Sequence, residues 1–80
     1  MIVLVSDNAE AVTRISTLLK QKGDLFTVAA DEISAHAAIR ADRATLLIVD
    51  TASSAFNGFA LCRSIKDDPD LGGLPVLCLI

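Results

Sequence analysis

Two aspartates each follow a short apolar run, and this placement is the strongest chemical feature of the chain. Residues 1–5 lead through Ser6 to Asp7, and the run of residues 46–49 ends at Asp50. Short runs rich in Ile, Val and Leu are typical of strands buried on both faces of a parallel sheet. Ligands of such sheets bind beyond the carboxyl ends of the strands. Because like charges repel, two carboxylates at that edge predict a cation or a phosphoryl group between them.

The patterns along the chain alternate between strand and helix. Strands are predicted at residues 1–5, 25–30, 45–50 and 74–80, and helices at about 8–22, from 31, and from 58 to about 67. The order βαβαβαβ predicts an α/β domain with a doubly wound parallel sheet and right-handed crossovers. The second strand is short and of mixed character, which predicts more exposure than the first strand and suits an edge position. Apolar side chains on the helices predict the inward faces: Val12, Ile15, Leu18 and Leu19, then Ile33, Ala37, Ala38 and Ile39, then Phe59, Leu61, Cys62 and Ile65.

The composition narrows the class of protein. A chain of 80 residues with 52% hydrophobic content and no Trp or Tyr predicts one globular domain with an aliphatic core. The formal net charge of −3 argues against nucleic acid or an acidic membrane surface as a partner, since both select basic patches. No apolar stretch approaches the roughly 20 residues of a membrane span. We therefore expect a cytoplasmic protein.

Three side chains that often take part in chemistry have ordinary interpretations here. Cys62 and Cys78 lie in apolar surroundings without C-x-x-C spacing, so the sequence favours small buried hydrophobic residues over a disulfide or a metal pair. His36 has no Cys or His at ligand spacing, which favours a surface or half-buried histidine. A nucleotide site is excluded at the turn after strand one, because Ser6-Asp7-Asn8-Ala9 has no glycine.

Several of these features occur together, in order and spacing, in one family. They are Ser6-Asp7-Asn8 after strand one, Asp50 at the end of strand three, Gly58 eight residues later, the helix Leu61-Cys62-Arg63-Ser64-Ile65-Lys66, and Asp68-Pro69 followed by Leu74-Pro75-Val76. With them the whole chain resembles a response-regulator receiver domain, the flavodoxin-like phospho-acceptor module of two-component signalling. The resemblance implies signal transduction through a histidine kinase or phosphotransfer protein. It implies no enzyme beyond the domain's own phosphoryl transfer.

The resemblance also implies roles for individual residues. Asp50 corresponds to the phospho-acceptor. Asp7, Asp50 and the backbone carbonyl of Ala52 correspond to the ligands of Mg²⁺, which prefers octahedral oxygen donors. Ser6 stands where the family usually has a second acid, and its hydroxyl can hold a metal-bound water. Ser54 stands where a proline is usual.

Two alternatives to a phosphorylated receiver stay open. Ser6 and the altered loop after Asp50 favour a pseudo-receiver, an adaptor that uses the same fold for dimerisation or docking without phosphorylation. The other alternative is an unrelated flavodoxin-like ligand-binding protein.

The resemblance further implies an incomplete sheet. The hydroxyl residue and the lysine that the family uses to sense the phosphoryl group would lie beyond Ile80, so residues 1–80 are expected to be a receiver fragment that ends after strand four. In the family order 2-1-3-4-5, helix one would then cover one sheet face alone. We therefore expect self-association through the strand-four edge and the uncovered face beside helix one.

Overall fold

The computed structural model describes residues 1–51 and 57–79, apart from the side chain of Asp42. Its elements follow the predicted order βαβαβαβ. They are β1 (Ile2–Val5), α1 (Ala9–Lys22), β2 (Phe26–Ala29), α2 (Glu32–Asp42), β3 (Leu46–Asp50), α3 (Gly58–Asp67) and β4 (Val76–Leu79). Among the starts of the elements, that of β4 differs most from the prediction: the strand begins two residues later than predicted, after Pro75. A proline has no N–H to donate to a sheet, although the Pro75 carbonyl does accept from the Leu47 N–H.

The four strands form one parallel sheet in the order β2-β1-β3-β4. The chain winds from β1 outward to β2 on one side, and from β3 outward to β4 on the other, so the order reverses between β1 and β3. Val5 of β1 is paired with Val49 of β3. The residues that follow these two, Ser6 and Asp50, therefore leave the sheet side by side at the point where doubly wound folds bind ligands.

Each helix begins at a polar side chain that caps its first turn. The Asn8 carboxamide accepts from the N–H groups of Glu10 and Ala11, and the Asn57 carboxamide accepts from that of Ala60. The Asp31 carboxylate accepts from the Ser34 N–H at 2.7 Å, and this hydrogen bond lowers the pKa of Asp31. These caps satisfy N–H groups that have no partner within their helix.

The two faces of the sheet are covered unequally. The main core lies on the face that α2 and α3 cover, where alternate strand residues pack against both helices. Its members are Val3, Val5, Ala29, Leu47 and Val49 from the strands, Ala35 and Ile39 from α2, Leu61 and Ile65 from α3, and Leu74. On the other face, α1 borders a groove of about 470 Å³, whose lining includes Leu18, Leu46 and Leu77. The predicted doubly wound architecture is confirmed.

Four of the side chains predicted to face inward are exposed, three of them large. Phe59 is 63% exposed, Ile33 84% and Leu18 58%. The buried stripe of α3 runs through Gly58, Leu61 and Ile65, and Phe59 lies one residue off that stripe, about 100° around the helix. On α2 the buried residues are Ala35 and Ile39, and Ile33 is two residues from the first of them, on nearly the opposite side. Ala37 is also exposed, and Cys62 is only partly buried.

Candidate functional site

Ser6 and Asp50 form a buried hydrogen-bonded pair at the carboxyl edge of the sheet. The Ser6 hydroxyl donates to Oδ2 of Asp50 at 2.9 Å, and it accepts from the Asn8 N–H at 3.1 Å. Ser6 is 2% exposed and Asp50 is 6% exposed. A buried carboxylate costs free energy unless it is hydrogen-bonded. The Ser6 hydroxyl therefore both stabilises the Asp50 side chain and fixes its direction.

Asp7 follows Ser6 directly and is exposed at the same edge of the sheet. Helix capping does not explain this residue, because the cap of α1 is Asn8. The sequence predicted that Asp7 and Asp50 would share one edge, and the pairing of β1 with β3 places both strand ends there. It did not predict the direct hydrogen bond from Ser6 to Asp50, since the family resemblance gave the Ser6 hydroxyl only the role of holding a metal-bound water.

The oxygen atoms at this edge suit a hard divalent cation. Carboxylates of Asp7 and Asp50 and the hydroxyl of Ser6 are the class of donor that Mg²⁺ selects, and no thiol or imidazole stands among them. Oδ2 of Asp50 accepts the hydrogen bond from the Ser6 hydroxyl. The predicted carbonyl ligand, at Ala52, and the variant loop position Ser54 lie outside the described residues.

Thr51 ties the end of β3 to the edge strand β4. Its N–H donates to the Leu79 carbonyl at 3.1 Å, and its hydroxyl donates to the same oxygen. Leu79 is also the register partner of Asp50. Sequence analysis did not single out Thr51, because a threonine after a strand is an ordinary loop residue. In the structure it anchors the backbone immediately after Asp50.

Gly58 lets the first turn of α3 approach the same backbone. A Cβ atom at this position would lie 2.8 Å from Cα of Thr51 and 3.2 Å from the Asp50 carbonyl oxygen. Real Cβ atoms are essentially never found so close to backbone atoms. The glycine therefore allows a close approach of helix and strand, and this gives a physical reason for a glycine at position 58.

Replacing Gly58 by Ala is expected to lower the free energy of unfolding by about 1–3 kcal/mol, the usual cost of overpacking a tight site. Gly73→Ala is the matched control, because nothing lies within 4 Å of its added methyl group. We expect the control to stay within about 1 kcal/mol of the parent chain. Urea unfolding followed by circular dichroism measures both, and an equal loss in the two variants would contradict the close-approach explanation.

The two cysteines are in contact, which the sequence did not predict. Sγ of Cys62 on α3 lies 3.2 Å from Sγ of Cys78 on β4, and both residues are partly buried free thiols. Burial and the neighbouring Cys78 thiol raise the pKa of Cys62 to about 11. The contact follows from the fold, which places Cys62 on α3 next to Cys78 on β4, and no motif in the sequence marks it. His36 is half-buried, with Nε2 3.9 Å from the Glu32 carboxylate, in line with the ordinary role predicted for it.

This architecture is similar to solved structures of receiver domains. The N-terminal domain of a response regulator receiver protein from Methanoculleus marisnigri JR1 matches 99% of the chain with a TM-score of 0.90 and 26% identity. The signal receiver domain of a signal transduction histidine kinase from Syntrophus aciditrophicus matches 98% with a TM-score of 0.87 and 28% identity. The chain has the fold of a receiver domain. It spans 64% of the first solved chain and 59% of the second.

A sequence relative extends the comparison. Protein RcaC from Microchaete diplosiphon is 31% identical over 78 residues, which is 98% of this receiver domain and 12% of the relative. No family model matches the sequence. Within residues 1–51 and 57–79, the receiver domain has no helix with the length and apolar character of a membrane span.

Proposed function

We propose that this receiver domain accepts a phosphoryl group on Asp50. The observation that carries the proposal is the position of the Asp50 carboxylate, at the end of a central strand where the strand order reverses and held by the Ser6 hydroxyl. A carboxylate oxygen of Asp50 attacks the phosphorus atom of the donor, and the bond from phosphorus to the leaving group breaks. The product is an acyl phosphate on Asp50. The domain is thus a switch module rather than an enzyme with a separate substrate.

Asp7 and Asp50 are the residues that would hold Mg²⁺, with the Ala52 carbonyl as a third ligand and Ser6 through a metal-bound water. The bound ion supplies positive charge that offsets the charge gathered on the transferring oxygens. Two carboxylates in place of three make the site less negative, so we expect weak binding. The oxygen donors around Asp50 support this proposal.

The proposed donor is a histidine kinase or a phosphotransfer protein, and the proposed location is the cytoplasm. One of the similar solved structures is itself the receiver domain of a signal transduction histidine kinase. The formal net charge of −3 gives no support to nucleic acid as a partner.

Incubation with acetyl phosphate and Mg²⁺ tests the proposal without a cognate kinase. We expect intact-protein mass spectrometry to find one added phosphoryl group, which is absent when a chelator removes Mg²⁺. Hydroxylamine should remove the group, because it cleaves acyl phosphates. A chain that stays unmodified at saturating donor would favour the second candidate function.

That second candidate is a pseudo-receiver that acts by association. The groove beside α1 favours it, because Leu18 and Leu77 line the groove and are 58% and 51% exposed. Lys22 and Asp24 also line it, so a two-fold arrangement of two chains can pair the lysine of one copy with the aspartate of the other. In addition, β4 is an edge of the described sheet and can add a strand.

We expect the 80-residue chain to form a dimer or a larger oligomer through this groove and the β4 edge. The occupant we propose is a second copy of the chain. Light scattering coupled to size exclusion measures the mass, and Leu77→Lys should shift the population to monomer because it places a charge in the apolar groove. Val28→Lys is the control, since Val28 is exposed on the opposite edge strand. A mass of 8.4 kDa for the parent chain at micromolar concentration would contradict the prediction.

A further inference from the structure

We propose that Cys62 and Cys78 are a redox-active pair that closes to an intramolecular disulfide between α3 and β4. The two residues are 16 positions apart in sequence, and their sulfur atoms lie 3.2 Å apart as free thiols. A disulfide bond is about 2.05 Å long, so closure needs the sulfur atoms to move together by roughly 1 Å. Small rotations of two side chains supply a displacement of that size.

The packing around the pair fixes its geometry. Leu61 and Ile65, which flank Cys62 on α3, are fully buried in the core, and Cys78 is paired with Val49 of the central strand β3. Neither backbone can therefore withdraw without breaking the core or the sheet. Both cysteines are only partly buried, so a small oxidant can reach them.

A low-molecular-weight disulfide such as oxidised glutathione is the oxidant that balances the reaction. The Cys78 thiolate attacks one sulfur of the oxidant, whose S–S bond breaks to release one thiolate and leave a mixed disulfide on Cys78. Sγ of Cys62 then attacks the Cys78 sulfur, and the second thiolate leaves. The two protons of the protein thiols pass to the two departing thiolates, so one molecule of oxidised glutathione is reduced to two glutathione thiols as one protein disulfide forms.

We assign the first attack to Cys78, because burial of Cys62 and its contact with Cys78 raise the pKa of Cys62 and so disfavour its thiolate. The Cys62 sulfur nevertheless stands in contact with Cys78, and proximity favours its attack on the mixed disulfide over attack by an outside thiol.

The cross-link would join two elements that contact the backbone after Asp50. Cys62 lies one helical turn after Gly58, where an added Cβ would lie 2.8 Å from Cα of Thr51, and Cys78 precedes Leu79, whose carbonyl accepts from Thr51. Oxidation would thus cross-link α3 and β4, the two elements that contact Thr51. This inference is independent of phosphorylation, and its test needs no phosphoryl donor.

The test is a titration of the 80-residue chain with glutathione buffers of rising oxidised-to-reduced ratio, followed by acid quenching, alkylation and mass spectrometry. We expect both thiols to become protected together in one transition, with the loss of two hydrogen atoms and no added glutathione. A non-reducing gel should show no covalent dimer. Reduction should restore both thiols.

Cys62→Ser and Cys78→Ser are the matched variants, and each should take up one glutathione at ratios where the parent chain takes up none. Cys78→Ser should react more slowly than Cys62→Ser, since burial disfavours the thiolate of the Cys62 side chain that it retains. The proposal is overturned if the parent chain keeps two free thiols at the most oxidising ratio. It is equally overturned if the chain accumulates only glutathione adducts or covalent dimers.

Discussion

The Asp50→Asn variant is expected to lose all phosphoryl uptake from acetyl phosphate, whereas the parent chain gains one group. A carboxamide oxygen is a poor nucleophile and cannot form an acyl phosphate, while the side chain keeps nearly the same shape. The Ser6 hydroxyl can still donate to the amide oxygen at this position, so the buried site keeps its hydrogen bond. Intact-protein mass spectrometry with Mg²⁺ present measures the loss.

Asp70→Asn is the matched control for this experiment. It makes the same chemical change at an exposed aspartate in the turn before β4, away from the carboxyl edge of the sheet. We expect its phosphoryl uptake to equal that of the parent chain. Unchanged uptake in Asp50→Asn would place the acceptor at another residue, and peptide mapping after borohydride trapping would identify it.

The Ser6→Asp variant is expected to bind Mg²⁺ at least about tenfold more tightly, a gain of about 1.4 kcal/mol. The change puts a second buried carboxylate beside Asp50, and a divalent cation relieves the repulsion between them. Without Mg²⁺ the same repulsion should lower the free energy of unfolding by about 1–3 kcal/mol. The variant should therefore be less stable than the parent in chelator and gain more stability from Mg²⁺.

Thermal unfolding at rising Mg²⁺ concentration measures both effects without reference to phosphoryl transfer. Ser6→Ala is the control, since it removes the hydrogen bond to Asp50 and adds no charge. It should lose stability both with and without Mg²⁺, because no added carboxylate strengthens the site. If Ser6→Asp and the parent respond equally to Mg²⁺, the ion does not bind between positions 6 and 50.

The sequence predicted the elements that position the site because local signals and tertiary packing agree there. Asn8, Asp31 and Asn57 are good capping residues in front of amphipathic stretches, and the apolar runs before Asp7 and Asp50 are too short for helices. The order of strands came from the family resemblance, and the β1–β3 pairing confirms it. The capping residues and the apolar runs can each be recognised within a short stretch of the chain.

The remaining features depend on contacts between distant residues. Cys62 and Cys78 give no motif, because their proximity arises from the way α3 lies over β4. Ser6 and Asp50 are 44 positions apart, and only the register of β1 against β3 brings them into hydrogen-bonding distance. Phe59 was predicted to face inward because apolar residues are usually buried. The ten-residue helix α3 buries only a narrow stripe of its surface against the small sheet, and Phe59 lies outside that stripe.

The two hydrogen bonds from Thr51 to the Leu79 carbonyl have a consequence for motion at the edge of the sheet. Edge strands are usually the first to fray, because they have a partner on one side only. Here the carboxyl end of β4 is bound twice by one residue, so it cannot peel away while Thr51 stays in place. Exchange of the Thr51 amide hydrogen with solvent therefore requires this end of the strand to detach. That single amide reports how often the edge next to Asp50 opens.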